Sequence, residues 1–192
     1  MYLYGAGGHA KVIIDILRAE GKSVEALVDD NPDLTELYGL DVVHESKGLS
    51  PLIISIGNNA VRKKIAEKHG CAFACAVHPR ATVSPSAVIG EGSVVMAGAS
   101  INAEATIGRH CIINTNASVD HECLIGDYVH ISPNAALCGN VEVGEGTHIG
   151  AGATVIPGVR IGRWCTIGAG ATVVKDLPDG VTAVGTPARI IG

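Results

Sequence analysis

The chain has 192 residues, a formal net charge of −5 and no run of Lys or Arg, which argues against nucleic acid or an anionic membrane as a partner. No apolar stretch is long enough to span a bilayer, and the six cysteines follow neither a CxxC spacing nor the framework of a small secreted domain. Met1 runs straight into a strand-like segment with no export pattern, so a reducing, cytoplasmic setting is expected.

Tyr2 to Tyr4 reads as a strand that enters Gly5, Ala6, Gly7, Gly8, His9 and Ala10. A helix should follow, with Val12, Ile13, Ile16 and Leu17 on its apolar face and Gly21 as its stop. Val24 to Val28 is a second strand ending at Asp29 and Asp30, before the turn forced by Asn31 and Pro32. Further strands are expected around Val42 and Val43, from Leu52 to Ile56 and from Cys71 to Ala76, with a helix from Val61 to Lys68. Such alternation predicts a small parallel α/β domain, Rossmann-like, over residues 1–76, with its ligand site at the strand C-termini, where Gly5, Asp29 and Gly57 fall. Gly5, Gly7 and Ala10 have the spacing of a phosphate-binding turn, and Asp29 stands where a ribose-binding acid would. A segment of this size provides one mononucleotide half rather than two, so a single nucleotide, with or without a sugar, fits better than a dinucleotide.

From Val77 to Val173 every sixth residue is Val, Ile or Leu, and four positions after all but the last comes a compact side chain, from Ala81 through Cys111, Cys123 and Cys165 to Ala171. Neither a helix nor an alternating strand selects every sixth residue, so residues 77–192 should form a parallel β-helix. Each hexad is then one face, three faces make a coil of about 18 residues, and successive coils stack ~4.8 Å apart. Beyond Val173 the period ends. Leu177, Pro178, Asp179 and Gly180 should turn the chain away, leaving the segment from Val184 to Arg189 to dock along the outside.

With 18 residues per coil, His121 should stack with Gly139, His130 with Ile112 and His148, and Pro133 with Ala151 and Ala169. Asn114, Asp120, His121, Glu122 and His130 crowd into about three hexads, in a coil otherwise made of Val, Ile, Gly and Ala. A histidine flanked by acids is a reasonable general base, because a carboxylate fixes its tautomer. A metal site built from His110, His121, His130 and His148 is the other chemical reading. Neighbours on an extended segment point to opposite sides, so Glu122 reaches His121 only if the chain bends there, and Asp120 is its rival.

The hexads and the tail VGTPAR resemble the left-handed β-helix acyltransferases, and the whole chain resembles the sugar acetyltransferases of the sialic acid and bacillosamine pathways. The resemblance rests on GAGGHAKV at Gly5 to Val12, VDD at Val28 to Asp30, IGNNAVRKK at Ile56 to Lys64 and NTNASVDHECLIGDYVHISP at Asn114 to Pro133. It implies a left-handed coil, a homotrimer with active sites between subunits, acetyl-CoA as co-substrate, no metal, and a nucleotide-linked amino sugar held by the N-terminal domain. In that family pattern His121 is the general base and Glu122 its orienting acid. His130, Gly139, Ala151 and Ala169 lie along acetyl-CoA, while Gly7, Gly8, His9, Asp29, Asp30, Gly57 and Asn114 belong to the sugar-nucleotide side. The reaction so implied is N-acetylation of a UDP-linked 4-amino sugar. O-acetylation of sialic acid or another sugar hydroxyl, a β-helix metalloenzyme of the carbonic anhydrase type, and a noncatalytic binding module stay open beside it.

Overall fold

The computed structural model describes residues 1–191. Its N-terminal part is a five-stranded sheet in which Tyr2–Tyr4 (β1), Ala26–Val28 (β2), Leu40–Val43 (β4) and Leu52–Ile54 (β5) run parallel, and Glu36–Leu37 (β3) pairs antiparallel with β4; the order is β3-β4-β2-β1-β5. The β3-β4 hairpin was not expected from the sequence. It turns on Tyr38 and Gly39, both at positive φ (57° and 77°), the conformation a two-residue hairpin loop demands.

Helix α1 (Gly8–Ala19) buries Ala10, Ile13, Ile14, Ile16 and Leu17, while Val12, expected on the apolar face, is 41% exposed. Ala10, Ile13, Ile14 and Leu17 form the i, i+3, i+4, i+7 stripe, and Val12 falls on the far side of it. That stripe packs on Val94, Met96 and Ile112 of the coil, so the two parts share one apolar cluster. Helix α2 (Asn59–Lys68) begins two residues earlier than expected because the Asn58 side chain caps it, accepting from the Val61 amide at 3.0 Å. The strand expected over Cys71 to Ala76 divides into a bridge from Phe73 to Leu52 and a short strand, Ala76–Val77, which already belongs to the coil.

The rest is a left-handed parallel β-helix with three faces. The first face carries Ala76–Val77, Val94–Val95, Ile112–Ile113, His130–Ile131, His148–Ile149 and Thr166–Ile167; the second runs from Thr82–Val83 to Thr172–Val173, and the third from Val88–Ile89 to Arg160–Ile161. Pairing is parallel with n opposite n+18, as in Ser100 with Ser118 and Leu124 with Glu142. From Val95 to Val173 the aliphatic member of each hexad is almost fully buried, and so is the compact residue four places on, as in Ala99, Cys111, Ala117 and Ala135 at 0% exposure. Each buried aliphatic side chain contributes roughly 1.5 to 3 kcal/mol against the cost of ordering the chain.

The corners share one backbone device. Every sixth residue from Gly92 to Gly170 has positive φ, including Glu104, His110, Asn116, Glu122, Tyr128, Asn134, Asn140 and Trp164. The tail corrects the expectation of a chain turned away. Leu177 bridges Ile161, and Thr182–Val184 pairs parallel with Thr166–Ile167, so the chain completes another, tighter coil that steps by 16 rather than 18 before Arg189–Ile190 folds back antiparallel on it. Val181 and Ala183 close the end of the core.

A left-handed corner costs a β-branched side chain most. Asn134→Gly should leave stability within about 0.5 kcal/mol, whereas Asn134→Val should lose roughly 1 to 2 kcal/mol or more in urea unfolding. Equal midpoints for the two variants would show that the corner conformation is not what the position selects.

Candidate active site

His121 lies on the corner between the second and third faces. Its Nδ1 is 2.9 Å from Glu122 Oε2, and Asn140, one coil on, donates to the same oxygen at 3.3 Å. A carboxylate can only accept, so Nδ1 carries the proton and Nε2 is left with a lone pair facing solvent. Both side chains are about half exposed, 53% and 51%. Glu122 can fold back because it occupies the left-handed corner position, φ 59°. That bend decides between the two acids: Asp120 Oδ1 accepts from the His121 backbone amide and from Asn102 Nδ2, both at 2.8 Å, and leaves the ring to Glu122. Gly139 lies directly beneath, where a Cβ would come within 2.5 Å of His121 Cε1. The ring therefore rests on a backbone that only glycine supplies. Asp120, His121, Cys138, Gly139, Pro157 and Gly158 border a depression of about 430 Å³ beside it.

The loops of the N-terminal part gather elsewhere, over the outer side of the first face. Gly5 is required by the fold, with φ 106° and a virtual Cβ 2.8 Å from Ile56. Gly7, Gly8 and Gly57 are not, since a Cβ at any of them would meet nothing within 4 Å. They leave open backbone at the N-terminus of α1 and before α2. The two aspartates divide their work. Asp29 accepts from the Ala6 and Asn31 amides at 2.8 and 3.0 Å and so ties two loop tips together, whereas Asp30 holds only the Tyr4 hydroxyl at 2.9 Å. Tyr4, Asp30, Ile56, Val61, Lys64 and Lys68 border a pocket of about 370 Å³.

Arg62 joins this part to the coil. It is 1% exposed, and its guanidinium donates to the carbonyls of His110 (2.7 Å), Tyr128 (2.8 Å), Ile56 (2.9 Å) and Gly57 (3.2 Å) and to Asn59 Oδ1 (2.9 Å). Asn59 reaches the Gly146 carbonyl at 3.0 Å, and Lys63 pairs with Glu145. Beneath the Gly57 loop, His130 accepts at Nε2 from Asn114 Nδ2 (3.1 Å), meets the Gly57 carbonyl, and stacks on His148, whose Nε2 is 2.7 Å from Ser132 Oγ. Burial above all holds His130 down to about 3 and His9 to about 4, with Arg62 adding to both, and burial also lowers His148.

Residues close in sequence are thus separated in space. Asn114 and His130 touch, but His121 and Glu122 stand on a different corner, and Ala151 and Ala169 are exposed on the corner between the first and second faces, the one that also carries Asn114. Gly139 serves His121 rather than that strip. The four histidines considered for a metal do not converge: His110 is buried between Phe73 and Tyr128, and His130 and His148 stack face to face. Among the described residues no three of His, Cys, Asp or Glu gather closely enough to hold a metal ion. Sequence reasoning missed Arg62, Asn59 and Asn140. A single arginine in the polar helix segment VRKK carries no sign of burial, while Asn140, 18 residues from Glu122, was accessible to the stacking rule.

A stacked coil of hexads with a carboxylate-oriented histidine on one corner and a glycine-lined α/β domain docked beside it defines a hexapeptide acyltransferase. Residues 1–69 match the PglD N-terminal domain, and residues 122–156 and 140–175 match the bacterial transferase hexapeptide family of six repeats. A histidine-to-asparagine variant of perosamine N-acetyltransferase from Caulobacter crescentus, solved with CoA and GDP-perosamine, is 48% identical, superposes with a TM-score of 0.94, and covers 100% of this chain and 96% of its own. The acetyltransferase domain of PglB from Neisseria gonorrhoeae FA1090, in complex with acetyl coenzyme A, is 41% identical with a TM-score of 0.94 over 99% and 98% of the two chains. UDP-N-acetylbacillosamine N-acetyltransferase of Bacillus subtilis (strain 168) is 48% identical over 108 residues, a match that spans 50% of either chain. The chain belongs to the family of PglD-type hexapeptide-repeat sugar N-acetyltransferases.

The buried imidazoles make acid stability predictable in sign. His9 and His130 cannot take up protons in the folded state until about pH 4 and about pH 3, whereas unfolded they do so near pH 6.5. Between those limits the unfolded chain binds more protons, so stability falls as pH drops, by on the order of 1 kcal/mol per pH unit for each group. Thermal melts at pH 7.5, 5.5 and 4.5 should show a steadily lower Tm, and a flat profile would contradict the burial of these rings.

Proposed function

We propose that the chain transfers an acetyl group from acetyl-CoA to the amino group of a nucleotide-linked amino sugar. The observation that carries this reading is the His121–Glu122 pair at 2.9 Å, a base with its lone pair turned outward, in a chain whose N-terminal loops leave open backbone for a nucleotide sugar. His121 Nε2 takes a proton as the amine attacks the thioester carbonyl. Glu122 stabilises the imidazolium that forms, and the proton then goes to the departing thiolate. Neither step requires an acyl-enzyme.

The site is best completed between copies. His121 occupies one corner, whereas the glycine loops and His130 face another side, so the base of one chain would serve the sugar bound by its neighbour in a homotrimer. The exposed small residues Ala151 and Ala169 suit the thin pantetheine arm of acetyl-CoA along such a seam. On the nucleotide side, Asp30 is the carboxylate left free to bind a hydroxyl or base N–H, because both oxygens of Asp29 are committed to backbone amides.

Two variant sets test this. His121→Ala should lower thiol release with a nucleotide-linked amino sugar by about 10² to 10⁴ fold while leaving the assembly intact, and near-normal turnover would remove His121 from the chemistry. Asp30→Asn should raise the KM for the nucleotide sugar with little change in kcat, while Asp29→Asn should chiefly lower Tm by loosening the loop tips. The reverse pattern would exchange the roles of the two aspartates.

A further inference from the structure

Ser46 and His69 form a pair outside the site described above. Ser46 opens the turn after β4, closed by the Leu49 amide on the Ser46 carbonyl at 3.2 Å, with Gly48 at φ 81°. His69 caps the C-terminus of α2, where its Nδ1 lies 2.8 Å from the Ile65 carbonyl and its ring meets that of Tyr4 edge-on, centroids 5.1 Å apart. A carbonyl only accepts, so Nδ1 carries the proton and Nε2 offers a lone pair. Ser46 Oγ stands 2.7 Å from that nitrogen and donates to it. A hydroxyl held on an imidazole whose far nitrogen is fixed by a third group is the arrangement of an activated nucleophile.

The surroundings fit that role. Ser46, Lys47, Gly48, Lys68, His69 and Gly70 border a hollow of about 520 Å³, and none of them borders the depression beside His121. Among the described residues the Gly48 and Gly70 amides meet no acceptor, which leaves two backbone donors at the hollow for a developing oxyanion. Two lysines and no acid line it, so it suits a substrate that carries a negative charge. Ser132 with His148, a second contact of the same type, differs on both counts that matter: Ser132 is 5% exposed, and among the described residues no hydrogen bond holds the His148 Nδ1.

We propose that Ser46 and His69 form a second, hydrolytic site that cleaves small esters whose acyl part carries a carboxylate. The site stands apart from the acetyl-transfer reading and does not depend on it. Ser46 Oγ bonds to the ester carbonyl carbon as its proton passes to His69 Nε2. The tetrahedral oxyanion, met by the Gly48 and Gly70 amides, collapses by breaking the bond to the leaving oxygen, which takes that proton and departs as an alcohol. Water then gives a proton to Nε2 and adds to the acyl-Ser46 carbonyl, the acid is released, and the proton returns to Ser46. Lys47 and Lys68 hold the carboxylate of the acyl part.

The test is nitrophenol release from mono-4-nitrophenyl glutarate and from neutral 4-nitrophenyl acetate, using the full chain with His121→Ala so that the exposed imidazole of the other site adds no background. The glutarate ester should turn over with the higher kcat/KM. Adding His69→Gln should lower its rate by about 10² to 10⁴ fold, and adding Ser46→Ala should return it to the rate in buffer. A fluorophosphonate should label Ser46, read by peptide mass spectrometry. Hydrolysis no faster than in buffer, a rate that survives Ser46→Ala, or a label on Cys71 in place of Ser46 would overturn the site, and equal kcat/KM for the two esters would overturn its preference for an anion. In the otherwise native chain Ser46→Ala should leave thiol release with a nucleotide-linked amino sugar unchanged, which shows the variant folded and keeps the two readings separable; a parallel loss would overturn the claim of a separate site.

Discussion

From Gly92 to Gly170 every corner of the coil turns on a residue held in the left-handed region, and much of the molecule follows from that one repeated constraint. Fourteen such residues at intervals of six, from Gly92 to Gly170, keep the register from slipping and lock each side chain into a row one coil below its predecessor. The interior then fills itself with Val, Ile, Leu and small corner residues. The outside becomes a set of fixed positions, and chemistry depends on which rows they occupy. Glu122 illustrates the point: on a straight strand it would face away from His121, but at a left-handed corner its carboxylate returns to the neighbouring ring.

The second constraint is Arg62. A guanidinium without water is stable only if its donors are met, and here five acceptors from the N-terminal part and from the coil meet them. Two of those acceptors, the Ile56 and Gly57 carbonyls, belong to the loop that would face a nucleotide sugar. That loop and the scaffold are therefore one hydrogen-bonded unit, and the position of the loop over His130 is set by the coil rather than by α2 alone.

How much of this can be read from the chain depends on the length scale of the signal. The hexads announce the coil, the stacking of His121 on Gly139 and the row His130–His148, because each needs only the period. The parallel strands β1, β2 and β5 also stand out as apolar runs ending in turn residues. What was hidden has a physical reason in each case. The β3-β4 hairpin turns on Tyr38, where nothing in the sequence marks positive φ, and Val12 could be placed only once the phase of α1 against the coil was known. Burial of Arg62 depends on carbonyls 48 and 66 residues away. Most consequentially, Asn114 to His130 looks like one cluster along the sequence, yet three-fold winding sends its members to different sides. The tail, too, has its own step of 16 where the hexad rule expects none.

That separation makes the proposal testable at its centre, since a base and a proposed sugar-binding loop on different sides of one coil would have to work together across a seam between copies. The direct measurement mixes two inactive chains, His121→Ala and Gly8→Asp, the latter placing a negative charge where Gly8 leaves open space, and assays thiol release after the subunits are exchanged. Sites built between copies combine the intact loop of one variant with the intact base of the other, so activity should return to about a quarter of the wild-type value in a one-to-one mixture. If every site is formed within a single chain, no mixed assembly contains a complete one, and activity that stays at the level of the separate variants would contradict the account.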